Sequence, residues 1–313
     1  MELEAVGQAD QHFIGNPEHS VFKKQFKQHQ NHAIDWDVRS QFEGQGLTYR
    51  AEIPKKGDVC IGAMVDMGNN AAVPTSYRLL IGGQCIQEHA IHAGEARMQY
   101  LNDRETHHTT LLDYTHGFYQ GKKVYYFLTD VFFSKKGCSM PLRCDQQLEV
   151  EIEFEEALSD EIYLQTFQIY LEDASSAREA QDIPITQMQE TQHPAHTGDI
   201  TVPLRFNLPI RSLQMSGGSH YTLKINGQTR FSMNEMQLHL ISRYVDGAAE
   251  KDSSSYHFGI PNQEGHSGSF NMSKCDRVEL IVKSDGSKPI TVGVENYNLL
   301  RYQNGRYSLM YSD

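Results

Sequence analysis

The sequence predicts an all-β protein: two antiparallel β-sandwiches in tandem, most economically jelly rolls, with a few short helices in the loops. Three observations point there. Tyr77–Gln84 (YRLLIGGQ) and Tyr221–Gln228 (YTLKINGQ), 144 residues apart, share their Tyr, Leu, Ile, second Gly and Gln at identical offsets. Cys144 opens CDQQLEVEIEF and Cys275 opens CDRVELIVKS in the same order, 131 residues apart. Between these landmarks run many short apolar stretches punctuated by Gly, Pro and Asn, with little sustained helical period. A chain of 313 residues is long for one sandwich and fits two of roughly 150 residues, each large enough to bury a core. Periodicity alone leaves jelly-roll and immunoglobulin-like sandwiches as alternatives.

Residues 1–45 read as an N-terminal arm and lead-in strand. The first unit, 46–183, begins with strands over Gly46–Ile53, Gly57–Met67 and Tyr77–Gln87, separated by Pro54, Lys55-Lys56-Gly57 and Gly68-Asn69-Asn70. A helix is expected over Glu88–Leu101, where Ile91, Met98 and Leu101 share a stripe, and only this copy of the repeat has one downstream. Lys123–Phe133 is nearly continuous apolar sequence, as in a strand covered on both faces. Leu148–Glu155 alternates perfectly, so its glutamates read as a solvated face rather than catalytic pairs. A strand over Glu161–Glu172 and a short helix over Ala174–Asp182 close the unit.

The polar stretch 184–199 reads as a linker. In the second unit, 200–313, strands are expected over Ile200–Phe206, Ile210–Met215, Tyr221–Ser232, Asp276–Val282 and Pro289–Tyr297, with Asp246–Ser255 a loop. The two repeat turns are Gly82, Gly83, Gln84 and Asn226, Gly227, Gln228. Gly-Gly and Asn-Gly are the pairs that tight β-hairpins require, because both central residues take positive φ.

A formal net charge of −12 disfavours direct nucleic-acid or anionic-membrane binding. No apolar run approaches the ~20 residues of a membrane span, and the acidic, polar N-terminus does not read as a secretory signal. Five cysteines (Cys60, Cys85, Cys138, Cys144, Cys275) without CxxC spacing fit reduced, buried thiols. GxSxG, HExxH and EF-hand patterns are absent from the sequence, and Gly117–Lys122 reads as a turn rather than a phosphate loop. His89 and His92, followed by Glu95, lack cupin-type His-x-His spacing, and the other histidines read as surface and loop residues. No catalytic residue, metal or cofactor is expected. Tyr119, Tyr256 and Tyr307 are candidate sugar-stacking residues if the chain is instead a glycan- or protein-binding jelly roll.

In order along the chain, several short motifs resemble one family. They are Phe13-Ile-Gly-Asn-Pro17 with Val21-Phe22-Lys23 and His29–Ala33, Gly57-Asp58 before VCIGAMVDM, and Ile81–His89 (IGGQCIQEH). The second unit adds Phe206–Ile210 (FNLPI), Ile225–Phe231 (INGQTRF), Gly268–Ser273 (GSFNMS), Asn296–Arg301 (NYNLLR) and the YSD tail. The set is similar to the major capsid protein of nucleocytoplasmic large DNA viruses, as a shortened member. It departs from the family where Lys27-Gln-His29 replaces a more basic stretch and where the only tryptophan is Trp36.

The resemblance implies two eight-stranded jelly rolls per chain and no enzyme activity. Three chains would make a homotrimeric, pseudo-hexagonal capsomer, and many capsomers an icosahedral shell in the virion, synthesised in host cytoplasm. Implied partners are neighbouring capsomers, minor capsid or penton proteins and a viral membrane beneath the shell. A minor capsid paralogue is the alternative within the same reading. By this resemblance Phe13, Asn16, Pro17, Phe22 and Lys23 lie in an assembly arm, and Asn296, Tyr297, Asn298 and Arg301 lock the last strand.

Overall fold

The computed structural model describes residues 31–90, 125–134, 138–246, 254–259 and 268–311, apart from 69, 71, 73, 129, 130, 174 and 176–178. The first half contributes β1 (His32–Gln41), β2 (Glu43–Gln45), β3 (Thr48–Glu52), β4 (Val59–Asp66), β5 (Pro74–Ile81), β6 (Gln84–Ala90), β7 (Tyr125–Phe127), β8 (Met140–Pro141), β9 (Leu148–Phe154) and β10 (Tyr163–Leu171). The second half contributes β11 (Gln181–His193), β12 (Thr197–Pro203), β13 (Ile210–Ser216), β14 (His220–Ile225), β15 (Gln228–Asn234), helix α1 (Glu235–Asp246), β16 (Ser254–His257), β17 (Val278–Asp285), β18 (Ile290–Gln303) and β19 (Arg306–Leu309).

Each half folds into two antiparallel sheets. In the first they run β1-β10-β4-β7, with β8 beside β4, and β2-β3-β9-β5-β6; in the second they run β11-β18-β13-β16, with β19 beside β18, and β12-β17-β14-β15. Setting aside β2, β8 and β19, eight strands remain per half. One sheet then reads first-eighth-third-sixth and the other second-seventh-fourth-fifth, in both halves. This is the jelly-roll order, and it differs from the ABED/CFG order of an immunoglobulin sandwich.

Alternation explains which side chains fill the sandwiches. In β9, Leu148, Val150, Ile152 and Phe154 are at most 2% exposed, lying beside Leu79 and Ile81 of the paired strand β5 and near Ile53, within one apolar cluster. Each such burial stabilises by about 1.5–3 kcal/mol. A second cluster of buried residues includes Leu213, Tyr221, Leu223, Leu280 and Val292.

The two cores share strand β18. Along β18, Ile290, Val292 and Val294 belong to the second cluster, whereas Leu300 and Tyr302 belong to the first, with Ile183 and Ile185 of β11 and Tyr307 of β19. The β11–β18 pair is continuous from Gln181↔Tyr302 to His193↔Ile290, so one two-stranded ribbon joins the two halves and its strand β18 enters both cores.

Several expectations are corrected. The stretch 184–199 is not an irregular linker: β11 runs through it to His193, and β12 begins at Thr197. Its polar residues have polar partners, since Gln187 and Gln189 accept the side-chain amides of Asn298 (2.7 Å) and Asn296 (2.8 Å). The helix expected from Glu88 is strand β6 as far as Ala90, with Tyr77 opposite His89 and Arg78 opposite Glu88; 91–101 lie outside the described residues. Gln181 and Asp182, expected in a helix, begin β11.

Of the described residues in the 123–133 run, Tyr125–Phe127 are strand. Beyond it Val131, Phe132 and Phe133 turn into the core, each at most 1% exposed. The helix described downstream of the repeat follows the second copy. In α1, Asn234 Oδ1 accepts the Gln237 N–H (2.9 Å) and Gln237 Oε1 accepts the Asn234 N–H (3.0 Å), a reciprocal capping box. Of the expected loop over 246–255, Asp246 ends that helix and Ser254 and Ser255 belong to β16 (Ser254–His257); 247–253 lie outside the described residues.

Candidate functional site

The most specific geometry in the chain is the repeated hairpin and the junction that fixes one jelly roll to the other. Gly82 and Gly83 have φ of 58° and 78°, and Asn226 and Gly227 have 49° and 79°. These left-handed pairs close β5 onto β6 (Ile81↔Gln84) and β14 onto β15 (Ile225↔Gln228). Each hairpin carries a bulge at the same offset, after Leu79 and after Leu223. In each, the first turn residue donates its N–H at 2.7 Å, Gly82 to Gln147 O and Asn226 to Arg277 O. Gln147 and Arg277 are 130 residues apart, so the first unit has one more residue between its cysteine and strand β9.

At the junction, paired glutamines bridge β6 and β11. Gln87 Nε2 donates to Thr186 O (2.9 Å) and Gln187 Nε2 donates to Ile86 O (2.8 Å), while Gln87 Oε1 accepts the Phe132 N–H (2.8 Å). On the far side the β18–β19 hairpin clasps the segment after β8. Tyr302 donates to Arg143 O (2.7 Å), and Gln146 accepts the Tyr307 N–H (2.5 Å) and donates to Tyr307 O (3.0 Å). Burial pushes the Tyr307 phenol far above its ordinary pKa.

The C-terminal signature residues fall in this ribbon. Asn296 and Asn298 are buried and pair with Gln189 and Gln187, and Asn298 also donates to Tyr311 O (2.8 Å). The Tyr297 N–H reaches Pro209 O (2.8 Å). Arg301 grips Asp182 at the surface through two bonds of 2.7 and 2.8 Å. Phe13, Asn16, Pro17, Phe22 and Lys23 lie outside the described residues.

Asp58 of the Gly-Asp motif is buried, accepting the Leu171 N–H (2.8 Å) and Arg143 (2.5 Å). Glu151 corrects the expectation of a uniformly solvated acidic face. It is 9% exposed and lies between Arg50 (2.5 Å) and Arg78 (3.0 Å), and Arg78 also holds Glu88 (2.8 Å). The Arg50 guanidinium, then Arg78, hold the Glu151 carboxyl below the usual carboxylate range. Period-two patterning assigns the face of a residue but not its partners across the sheet, which is why this ladder was missed.

Chemistry of other kinds is poorly provided for. Among the described residues no three His, Cys, Asp or Glu side chains gather as a metal group. His89 stacks on Tyr77, ring centres 5.1 Å apart, and His92, Glu95 and Gly117–Lys122 lie outside the described residues. All five thiols are free. Cys60 is buried, its thiol pushed up to about 12 by desolvation, and Cys144 is buried too, but Cys85 is exposed and Cys138 and Cys275 are half-buried. Tyr256 is stacked on Phe231 (4.5 Å) and Tyr307 is buried, so neither offers a free sugar platform; Tyr119 is outside the described residues. A cleft of about 420 Å³ between Pro209, Tyr297, Leu299 and Tyr311 has no carboxylate, imidazole or thiol in its lining. No helix among the described residues is long and apolar enough to cross a membrane.

Two complete jelly rolls on a shared ribbon define the double jelly-roll fold. No protein-family model and no curated protein matches the sequence. Solved structures do match the fold. The capsid of the virus PBCV-1 superposes with a TM-score of 0.74 at 16% identity, covering 94% of this chain and 100% of that one. The Faustovirus major capsid protein gives 0.63 at 6% identity, covering 94% of both chains. The major capsid protein P2 of bacteriophage PM2 gives 0.56 at 12%, covering 88% of this chain and 100% of that one. At these identities the likeness is one of fold, and the neighbours are capsid proteins, not enzymes.

Proposed function

We propose that the chain is the structural subunit of a viral capsid, working as a homotrimer that tiles an icosahedral shell. The observation that carries this reading is the duplication: two rolls with identical strand order, identical hairpin turns and a common ribbon. Three such chains around a threefold axis present six similar sides, and a six-sided block tiles a hexagonal lattice. The double jelly-roll likeness to the PBCV-1 and Faustovirus capsids supports the same reading. Function is geometric here. The junction keeps the two rolls in fixed relation, so that the sides of the capsomer stay equivalent.

On this reading the arm with Phe13, Asn16, Pro17, Phe22 and Lys23 contacts neighbouring subunits, and the Asn296–Arg301 signature locks the ribbon. The partners are other capsomers, minor capsid or penton proteins and a membrane beneath the shell, with assembly in the virion after synthesis in host cytoplasm. Sedimentation of the purified chain together with electron microscopy tests this. Trimers and hexagonal arrays are expected; a monomer at high concentration, or glycan binding without any lattice, would overturn it.

A further inference from the structure

Three of the exposed large apolar side chains share the outer face of the sheet β1-β10-β4-β7, while Met236 and Leu240 lie on α1. Trp36 is 56% exposed, Ile34 38% and Phe127 37%. The Trp36 ring meets Phe167 edge-on at 5.4 Å, and Phe127 lies 6.3 Å from Phe167. Phe167 is the register partner of Gly62, where a Cβ would come within 2.8 Å of its ring. Glycine there leaves the bed on which the ring lies. The bulge between Asp35 and Val38 turns Trp36 outward. That bulge is fastened from β10, where Gln165 Nε2 donates to Trp36 O (2.7 Å) and Thr166 Oγ1 donates to Val38 O (3.0 Å). Ile34 extends the patch beside its register partner Ile169.

The corresponding face of the second roll carries an ion pair, with Met188 beside Gln214. Arg211 holds both carboxylate oxygens of Glu295 (2.9 and 2.8 Å), and Gln214 stands opposite Gly293. Charge divides the same way: residues 46–183 carry 21 acidic and 12 basic residues, net −9, whereas 200–313 carry 10 and 12, net +2.

We propose that the Trp36–Phe127–Phe167 patch is the surface by which the first roll of one copy docks on the second roll of the next copy of this chain. The inference rests on the trimer reading and names its contact. A head-to-tail contact closes into a ring, and in a ring of three two-roll chains every contact between chains pairs a first roll with a second. That pairing sets the strongly acidic unit against the unit of opposite sign, whereas first roll against first roll sets like charge against like. A desolvated aromatic centre is what anchors interfaces of this kind.

Trp36 is the only tryptophan, so its emission reports the patch alone. The experiment is a dilution series of the full chain, followed by analytical ultracentrifugation, tryptophan emission and acrylamide quenching. Emission should shift to the blue and become protected from quencher as trimer forms. Trp36→Ser should weaken association roughly tenfold or more with unchanged circular dichroism and, at dilutions where both chains are monomeric, an unchanged melting midpoint, while Trp36→Phe keeps most of the affinity. Trimers whose Trp36 stays open to quencher, with Trp36→Ser assembling like wild type, would overturn the patch and leave the trimer reading intact. A wild-type chain that stays monomeric throughout overturns both.

Discussion

Tyr307 donates its hydroxyl to the main-chain carbonyl of Pro141 at 2.5 Å, joining positions 166 residues apart across the junction of the two rolls. The ring is 4% exposed and packs 4.9 Å from Tyr302, so the bond lies where water cannot replace it. Tyr307→Phe keeps the packing and orphans the carbonyl, an expected loss of about 1–3 kcal/mol. Tyr307→Ala adds a cavity and should lose about 3–5 kcal/mol. It also removes the side-chain bond to Pro141 from the clasp on the last hairpin, leaving the main-chain bonds to Gln146, so urea unfolding should be broader than that of wild type.

The same burial makes a prediction for alkali. Tyr307 and Tyr221 titrate well above the ordinary value near 10, Tyr221 pushed up to about 12, chiefly by desolvation. A phenol whose folded pKa is raised stabilises the fold fully below the unfolded value and loses that contribution as pH rises past it. Phenolate absorbance should therefore appear in two phases, exposed tyrosines first and reversibly, then a late step that coincides with loss of the β signal in circular dichroism. Tyr221→Phe should reduce the amplitude of the late step by one tyrosine.

What was legible in the sequence was what the backbone itself demands. Two hairpins needed positive φ at successive residues, and Gly82-Gly83 and Asn226-Gly227 announced them; β9 announced itself because period-two alternation is all that burial on one face requires. The β11 strand was hidden for the opposite reason. Its Gln187 and Gln189 look like linker residues until Asn298 and Asn296, more than 100 positions away, are placed opposite them. Glu151 was misjudged in the same way, since its two arginines arrive on different strands. The capping box of α1 was present as Asn234 and Gln237 and could have been found by its local spacing alone.

Glu151 gives the sheet β2-β3-β9-β5-β6 an acid-sensitive tie. Its carboxyl is held below the usual range by Arg50 and Arg78. A depressed carboxylate contributes stability above its unfolded pKa, and that contribution is lost as pH falls through the folded value. Glu151→Gln, which leaves two guanidiniums without their shared anion, should lower stability by about 2 kcal/mol at neutral pH. The difference between variant and wild type should shrink on acidification below pH ~4. Denaturant midpoints at several pH values measure both effects; a difference independent of pH would assign the loss to packing alone.

The paired turns predict paired phenotypes. Gly83→Ala and Gly227→Ala each force a Cβ into the left-handed region, at φ of 78° and 79°, and should cost about 1–2 kcal/mol. Asn226→Gly and Asn226→Ala both lose the side-chain acceptor of the Arg277 N–H (3.0 Å), but glycine relieves the left-handed backbone, as at the equivalent Gly82, so Asn226→Ala should cost more than Asn226→Gly. Thermal melts of the four variants test the equivalence of the hairpins directly.

Asn298 and Arg301 belong to one sequence signature, yet their environments predict opposite sensitivity. Asn298 is 3% exposed and holds Gln187 across the ribbon and Tyr311 at the chain end. Asn298→Leu strips both acceptors of their donor in a dry site and should lower stability by about 2–3 kcal/mol. Arg301 and Asp182 pair at the surface, where side-chain ordering and solvent screening offset the attraction, so Arg301→Ala should melt close to wild type. If the signature exists to lock the ribbon, Asn298→Leu should also weaken trimer formation in sedimentation while Arg301→Ala leaves it intact. The reverse order would assign Arg301 to contact between subunits and remove it from the lock.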